Sequence, residues 1–363
     1  MERLDNKSRA LYLDLTKATA MLVMPFLHCV YFLGFEGFFA SEFPIEQILS
    51  ISGVLYNFVP GIFLFCLGCG AVITRHDTPG AFLSRGKKLI LLGIGLNILR
   101  FTPFYLIKGL VFGEMEGFSR AWLWIIGSDV LPFAGLSFLW FAGVKKWNLP
   151  DWAVLGFGIV CAAGQMLLPV PRISGTLGQI LGNFIFVDGG GSYFPFISWI
   201  IFPCLGYFYQ SRLNKTRHPA RFHVILGTVC ASLLAASVLL MKRFGRWKKR
   251  YLLWGEMDFH MDLPTTWIAG LIGGLWISIS YFLAMPLKRL KISNLITLFS
   301  KRITSYYCIH WLVLMGGILI YKLRGKPKKI RTSGAFFAIG TALTALSTVI
   351  SIIYTSMYRK ERN

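Results

Sequence analysis

The stretch LDLTKATAMLVMPFLH (13–28) is an apolar segment interrupted by three ionisable side chains. In an α-helix Asp14, Lys17 and His28 fall, together with Met21, within about 60° of one another. Charged side chains are costly in hydrocarbon, so a helix of this kind turns that face toward other protein segments. The stretch therefore predicts a membrane-spanning helix whose polar face lies inside a helical bundle.

The composition of the whole chain agrees with a membrane environment. Of its 363 residues, 55% are hydrophobic and only 15% are charged, and the mean hydropathy is +0.59. Apolar stretches of about 20 residues recur, and each can cross a hydrocarbon layer of about 30 Å as a helix. We predict an all-α bundle in a single domain (1–363), with both termini cytoplasmic. The ten predicted spanning helices lie at roughly 11–34, 50–74, 88–108, 121–143, 152–170, 192–210, 222–241, 265–285, 302–321 and 332–356.

Two segments are predicted to behave differently from these spans. Residues 1–10 are polar, and the first helix carries charges without a small-residue cleavage site, so we expect it to be retained rather than removed as a signal peptide. Segment 174–187 is too short to span comfortably, so we predict that it is re-entrant or interfacial.

The orientation of the N-terminal half follows from the charges of its connections. Short basic connections are typical of the cytoplasmic side, and this predicts a cytoplasmic location for 75–88, 144–151, 211–221 and 286–294. Segment 34–47 has three Glu and no Lys or Arg, which favours the opposite side.

Two outer connections break that rule, because 242–250 and 322–331 each carry six basic residues. Either a short segment has been miscounted and the C-terminal half is inverted, or the outer face is basic because it meets a polyanion. We favour the polyanion, with Arg246, Trp247 and Lys248 binding an anionic glycan through charge and ring stacking. Contact with anionic lipid headgroups is the alternative, whereas basic residues divided among short loops do not predict nucleic-acid binding.

The seven cysteines lie within apolar stretches, so no disulfide framework is predicted. Cys66 and Cys69 form a CxxC motif, but no second pair of ligands accompanies it. We expect them to pack between helices, and we predict no metal site.

Further polar residues are predicted to share the bundle interior with His28. Asp129 and His310 lie at a comparable depth on later helices, and with His28 they form the candidate catalytic set. Asn97 and Arg100 occupy the outer half of the third helix, where Arg100 either pairs with Asp129 or extends outward. A lone intramembrane histidine often only holds helices together, so a catalytic role is inferred from the group rather than from His28 alone.

The sixth predicted helix begins at three consecutive glycines, which permit a close approach of backbone to a ligand. Asp188 precedes them and Tyr193 follows them, so both are candidates for binding an acceptor. A flexible turn without a ligand is the alternative.

Three stretches resemble a known superfamily of transmembrane acyltransferases: 13–28, GGSYFPFISWIIFPCLGYFY (190–209) and YYCIHWLVL (306–314). In the first, an Asp, a basic residue three positions later and an apolar run lead to a histidine. The resemblance is closest to the heparan-α-glucosaminide N-acetyltransferase family and its bacterial homologues, with the acyltransferase 3 family more distant. Lys17 and Ala18 stand where the family usually has Arg-Gly, and a lysine lacks the bidentate fork of an arginine.

The resemblance implies that acetyl-CoA arrives from the cytoplasm and that its acetyl group is transferred to a sugar on the far side. It implies that His28 is either a general base or the carrier of a transient acetyl group, and that Asp129 orients a histidine or the acceptor. The coenzyme site is assigned to Asp14 and a set of cations that would hold its phosphates. These cations are Lys17, Arg75, Lys87 and Lys88.

We therefore predict an acetyl-CoA-dependent N-acetyltransferase that acts on terminal glucosamine of heparin or heparan-type saccharides. An O-acetyltransferase of envelope polysaccharide is the alternative within the same class. A secondary transporter for an acidic sugar is the alternative from another class, although no internal repeat relates the two halves. The expected location is the bacterial inner membrane, and a homodimer is compatible with the sequence.

Overall fold

A computed structural model gives the structure of the protein. It describes residues 10–35, 45–113, 125–167, 175, 178, 182, 184–186, 193–243, 263–290, 292–324 and 333–360. Helices account for nearly all of these residues, and no strand occurs among them. The predicted all-α class is confirmed.

The helices of the described residues are numbered here in chain order. They are α1 (Leu11–Phe35), α2 (Ile45–Ile73), α3 (Pro79–Phe112), α4 (Val130–Lys146), α5 (Asp151–Leu167), α6 (Phe196–Trp199), α7 (Ile201–Lys215), α8 (Pro219–Arg243), α9 (Leu263–Arg289), α10 (Ser293–Lys301), α11 (Ile303–Leu323) and α12 (Ser333–Lys360). Three pairs of helices pack closely: α3 against α4 and α8 against α9 are antiparallel, whereas α2 and α7 run in the same direction.

Five helices within the described residues are long and apolar enough to cross a membrane. These are Pro79–Val111, Pro219–Leu240, Pro264–Arg289, Ile303–Tyr321 and Gly334–Met357. Two shorter apolar helices, Phe58–Ile73 and Asp151–Gln165, accompany them. The chain is thus a multi-pass helical membrane protein, and the number of ten spans stays a prediction.

The third helix begins earlier than predicted. It starts at Pro79 rather than at residue 88, and the amide of Ala81 donates to Thr78 Oγ1 at 3.2 Å. A capping Thr followed by a proline in the first helical position is a strong start signal, and it outweighs the charges that follow. Lys87 and Lys88 therefore lie within α3, with exposed side chains, and not in a loop.

The predicted helix 121–143 is interrupted, which is a second correction. Its main part, α4, begins at Val130, and Asp129 is the N-cap, with Oδ1 accepting from the Val130 amide at 2.7 Å. Ser128 precedes it and accepts at its carbonyl from the amide of Tyr193 at 2.8 Å. Asp129 thus stands at a helix N-terminus and not inside a helix, because its carboxylate satisfies a backbone donor that the helix leaves free.

The helix α10 was not predicted. It is a short amphipathic helix, in which Ile296 and Ser300 are buried while Leu295 is exposed. Ser300 Oγ donates to Asp14 Oδ1 at 2.6 Å, so the helix is tied to the start of α1. Its nine residues are too few to span a membrane, and a search for long apolar stretches passes over such a helix.

Side-chain pairs bring the short connections together at one end of the bundle. Lys145 of α4 lies 2.7 Å from Asp77 in the turn before α3, and Asp151 lies 2.9 Å from Lys215 at the end of α7. Three connections predicted to be cytoplasmic therefore share one end, which contains the turns 74–78, 147–150 and 216–218. We call it the basic end.

The C-terminal helices meet the same end. The Ser300–Asp14 bond places α10 beside the start of α1, and Arg302 Nε donates to Thr355 Oγ1 near the end of α12 at 2.6 Å. The helix α11 therefore runs in the same direction as α1, away from the basic end. The favoured topology expects this relative direction of α1 and α11, and the side of the membrane that each end faces stays a prediction.

The helices α2 and α7 cross with their backbones in contact. A Cβ atom on Gly68 would overlap the carbonyl of Pro203, and one on Gly206 would overlap the backbone of α2. Cys69 Sγ donates to Gly206 O at 3.3 Å, and both Cys66 and Cys69 are buried free thiols. Small residues permit this close packing between membrane helices, so the CxxC motif lies at a helix crossing.

Candidate active site

An apolar cavity lies along the second half of α1. Its empty space is about 710 Å³, part of it open to the outside, and its walls come from α1, α2, α4, α11 and the residues just before α6. Most of the lining is apolar. The side chains in its walls that carry polar atoms are His28, Asp129, Tyr193, Tyr307 and Trp311.

Two histidines from distant parts of the chain meet at this cavity. His28 Nδ1 and His310 Nε2 are 2.9 Å apart, and the rings are stacked with centroids 5.1 Å apart. The ring of Trp311 covers His28 at 4.3 Å between centroids. His310 is fully buried, whereas His28 is half-buried and lines the cavity. The ring of His28 is therefore held between α1 and α11 with one part exposed to the cavity.

The hydrogen bonds of His310 decide the tautomer of His28. His310 Nδ1 lies 3.2 Å from the carbonyl oxygen of Tyr306, and because a carbonyl only accepts, Nδ1 must carry the proton. In a neutral imidazole the other nitrogen, Nε2, is then an acceptor, so His28 Nδ1 must donate to it. This leaves a lone pair on His28 Nε2.

A buried ion pair stands beside the histidines. Arg100 Nη2 lies 2.5 Å from Asp129 Oδ2, and both side chains are almost fully buried. The guanidinium also lies 4.2 Å from the centre of the Trp311 ring and 4.4 Å from that of Phe101. Of the two arrangements predicted for Arg100, pairing with Asp129 is the one observed. The pair joins α3 to the start of α4.

Asn97 holds the turn that leads into α4. Its Nδ2 donates to the carbonyl oxygens of Ile125 and Gly127, both at 3.2 Å. The next residue, Ser128, donates through Oγ to Phe194 O at 2.7 Å. These bonds fix the segment that carries Asp129 and the segment that carries Tyr193, so Asn97 contacts backbone rather than the cavity.

The candidates for coenzyme binding are not brought to the cavity wall. Asp14 is buried and bonded to Ser300, and Lys17 is half-buried one turn before the first cavity residue of α1. The other three cations, Arg75, Lys87 and Lys88, are exposed. Their roles stay predictions, and so do those of Asp188, Arg246, Trp247 and Lys248, which lie outside the described residues.

Two aromatic residues of the site were not predicted. Trp311 contacts both His28 and Arg100, and Tyr307 lines the cavity one turn before it. Only Tyr307 has a signal in the sequence, because it lies three positions before His310, and helix neighbours at three or four positions share a face.

A comparison with known families gives one match. The model described as heparan-alpha-glucosaminide N-acetyltransferase, catalytic, matches residues 9–240. This range contains His28, Asn97, Arg100 and Asp129 and ends before α11, so it does not include His310. A search of curated proteins found no match.

Proposed function

We propose, from the fact that this chain belongs to the heparan-alpha-glucosaminide N-acetyltransferase catalytic family, that it acetylates the amine of terminal glucosamine in heparan-type saccharides. The family makes it a membrane acetyltransferase. The donor in this proposal is acetyl-CoA from the cytoplasm, and the acceptor is on the other side of the membrane.

The observation that carries the proposal is the state of His28. Its Nδ1 donates to His310, so its Nε2 keeps a lone pair, and the His28 side chain lines the cavity. Both chemical roles open to it need that lone pair. The apolar walls and the Trp311 ring exclude water, which favours transfer to the acceptor over hydrolysis of the acetyl group.

His28 serves transfer in one of two ways. As a general base, Nε2 takes a proton from the acceptor amine while the amine attacks the acetyl carbonyl, and it returns the proton to the departing thiolate. As a nucleophile, Nε2 itself attacks the carbonyl and breaks the carbon–sulfur bond, and the amine then takes the acetyl group from the ring. The same tautomer starts both sequences.

The choice of acceptor is supported by charge. The connections 242–250 and 322–331 each carry six basic residues, and α11, which leads into the second, runs away from the basic end. Basic groups on that side suit a sulfated saccharide. An anionic envelope polysaccharide would suit them equally, and O-acetylation of such a polymer is the second candidate.

Radiolabelled acetyl-CoA and glucosamine-ended heparin oligosaccharides test the proposal with purified protein. We expect label on the sugar with wild-type protein and a loss of at least about 10²-fold in the His28→Ala variant, because general acid–base catalysis contributes that much. His218→Ala is the matched control, since His218 is exposed in a turn at the basic end.

The outcomes separate the candidate classes. A transporter leaves no label on the sugar with any variant. Wild-type rates in the His28→Ala variant would remove the catalytic role given to His28, and label on hydroxyl oxygen rather than on nitrogen would select the O-acetyltransferase.

A further inference from the structure

The short helix α10 lies at the edge of the bundle and is covered by protein on one face only. Ile296 and Ser300 are buried, and Ser300 Oγ donates to Asp14 Oδ1 at 2.6 Å, so this face lies against the start of α1. Leu295 is 53% exposed, and Lys301 is exposed as well. The other faces of α10 are therefore open.

The open faces of α10 differ in character. With about 100° between successive residues, Leu295 and Lys301 lie about 120° apart around the helix, and each is at least about 100° from Ile296. Asn294 is exposed and lies within about 20° of Lys301. One open face is therefore apolar and the other is polar. A helix with these three faces fits the boundary between protein, hydrocarbon and water.

The end of α9 carries the same mixture of exposed side chains. Leu290 is 66% exposed and Ile292 is 41% exposed, and Lys288 and Arg289 are exposed beside them. Apolar and basic side chains thus form one continuous patch from the end of α9 into α10. We call this patch the α10 surface, which consists of Lys288, Arg289, Leu290, Ile292, Leu295 and Lys301.

The cations of the α10 surface differ from others at the basic end in having no acidic partner. Lys145 is paired with Asp77, and Lys215 is paired with Asp151. Within the described parts of the chain, the three basic side chains of the α10 surface form no ion pair. Their charges therefore attract anionic groups from outside the protein.

The neighbouring helices set the depth of the α10 surface. The apolar segments Pro264–Arg289 and Ile303–Tyr321 are each long enough to cross a membrane. The α10 surface begins where the first segment ends and stops just before the second begins. It therefore lies at the depth where hydrocarbon gives way to lipid headgroups.

We propose that the α10 surface binds anionic phospholipids in the membrane leaflet at the basic end. Leu290, Ile292 and Leu295 enter the edge of the hydrocarbon, and the three cations bind lipid phosphates at the level of the headgroups. This lipid site goes beyond the proposed function and does not depend on the chemistry at His28.

The mixture of side chains favours a lipid over a soluble phosphate compound. A soluble anion would pair with the cations and leave the apolar side chains between them in water. A phospholipid supplies both a phosphate for the cations and hydrocarbon for the apolar side chains. The whole patch is then covered by one kind of ligand.

Quenching of a fluorescent label by brominated lipids tests the site. The Leu295→Cys variant is labelled with bimane and placed in nanodiscs of phosphatidylglycerol and phosphatidylcholine, with bromine on one lipid or on the other. Per lipid, brominated phosphatidylglycerol should quench at least about fivefold more efficiently, which is the preference that one lysine or arginine near an anionic surface provides.

Leu346→Cys is the matched position for the label, because Leu346 is exposed in the middle of α12. There we expect the two lipids to quench equally. A ratio between two lipids at one position does not depend on the depth of the label. Wild-type protein, with its seven native cysteines, gives the background.

Removal of charge separates phosphate binding from apolar contact. In the Leu295→Cys background, the Lys288→Gln/Arg289→Gln/Lys301→Gln variant should lose the preference for phosphatidylglycerol and still be quenched by both lipids. The control Lys146→Gln/Arg217→Gln removes exposed cations of the same end, and with Arg221→Gln it removes the same number. The control should keep the preference.

Thermal unfolding in a neutral detergent gives a second measurement that needs no label. Phosphatidylglycerol should raise the unfolding midpoint of wild-type protein and of the control charge variant, because a ligand that binds the folded state stabilises it. The rise should be smaller in the variant that lacks the three cations of the α10 surface. Phosphatidylcholine should raise all three midpoints equally.

Three results would overturn the site. The first is equal quenching by the two lipids at Leu295→Cys with all charges present, or, if that variant does not fold, equal rises of the midpoint in both charge variants. The second is an equal loss of preference in both charge variants, since net charge alone would then explain it. The third is weak quenching by both lipids relative to Leu346→Cys, which would show that protein covers the surface. Acetyl transfer enters none of these measurements, so it is tested separately.

Discussion

At the scale of single residues, His310 is a positioning group for His28. It is fully buried, it bonds to a backbone carbonyl through Nδ1, and its Nε2 accepts from His28. It does not line the cavity. Its effect on transfer is therefore exerted through the tautomer and the orientation of the His28 ring.

Substitution of His310 tests this role. The His310→Leu variant should lower kcat about 10²-fold, comparable to the loss of an outer-shell partner of a functional histidine, because His28 loses the acceptor that selects its tautomer. His310→Gln should recover a large part of the rate, since a glutamine oxygen can accept from His28 Nδ1 near the position of Nε2. Steady-state kinetics with both substrates measures kcat and KM.

The comparison of these two variants separates positioning from packing. If His310 served only packing, both variants should have the same low kcat. If His310 bound substrate, its loss should raise KM rather than lower kcat. Either pattern would contradict the assignment.

The meeting of His28 and His310 was predictable because both are costly polar groups at similar depths in apolar helices. The contacts of Trp311 with His28 and Arg100 were not predictable, because a tryptophan in an apolar helix can face lipid as readily as a site. The sequence also predicted that Asp14 and His28 share an inward face, and Asp14 is buried while His28 lines the cavity. It did not predict that Asp14 would accept a hydrogen bond from Ser300 of α10.

At the scale of elements, the Arg100–Asp129 pair couples α3 to the N-terminus of α4. Removing one member leaves a buried charge without its partner, which typically costs about 3–5 kcal/mol. Asp129→Asn is the informative change, because asparagine keeps the N-cap hydrogen bond and removes only the charge. We expect a clear fall in the thermal unfolding midpoint in detergent.

A second substitution should restore much of that stability. In the Arg100→Met/Asp129→Asn variant no buried charge is left unpaired, so its unfolding midpoint should lie above that of Asp129→Asn alone. If the double variant is no more stable than the single one, the two side chains do not act as a pair. Activity of a stable double variant then reports whether Asp129 has a chemical role beyond the ion pair.

The sequence predicted the boundaries of the helices less accurately than their presence. The start of α3 at Pro79 and the break before Val130 both follow from local capping, in which Thr78 and Asp129 satisfy free backbone amides. Hydropathy places boundaries by charge and length alone. It therefore predicted the start of α3 nine residues too late, and it predicted a continuous helix 121–143 across Asp129, the N-cap of α4. Tertiary contacts such as Asn97 to the turn at 125–127 support the break, and they are not visible in one sequence.

At the scale of the whole molecule, three short basic connections meet at one end, which contains the turns 74–78, 147–150 and 216–218. The described basic residues at or near this end include Arg75, Lys145, Lys146, Arg212, Lys215 and Arg217. Cytoplasmic connections of membrane proteins carry such an excess. His28 lies deeper along α1 and lines the cavity, so in the proposed function a donor from the cytoplasm and an acceptor from the other side would approach the same histidine from opposite directions.

That arrangement predicts which ends of the bundle a reagent can reach. Arg217 is exposed in the turn 216–218 of the basic end, and Arg324 is exposed after α11 at the opposite end. In intact bacterial cells that express the protein, a membrane-impermeant maleimide should label the Arg324→Cys variant and leave Arg217→Cys unlabelled until the cells are permeabilised, with wild-type protein as the background. The reverse pattern would put the basic end outside the cell, and the cytoplasmic location predicted for the connections 75–88, 144–151 and 211–221 would then be wrong.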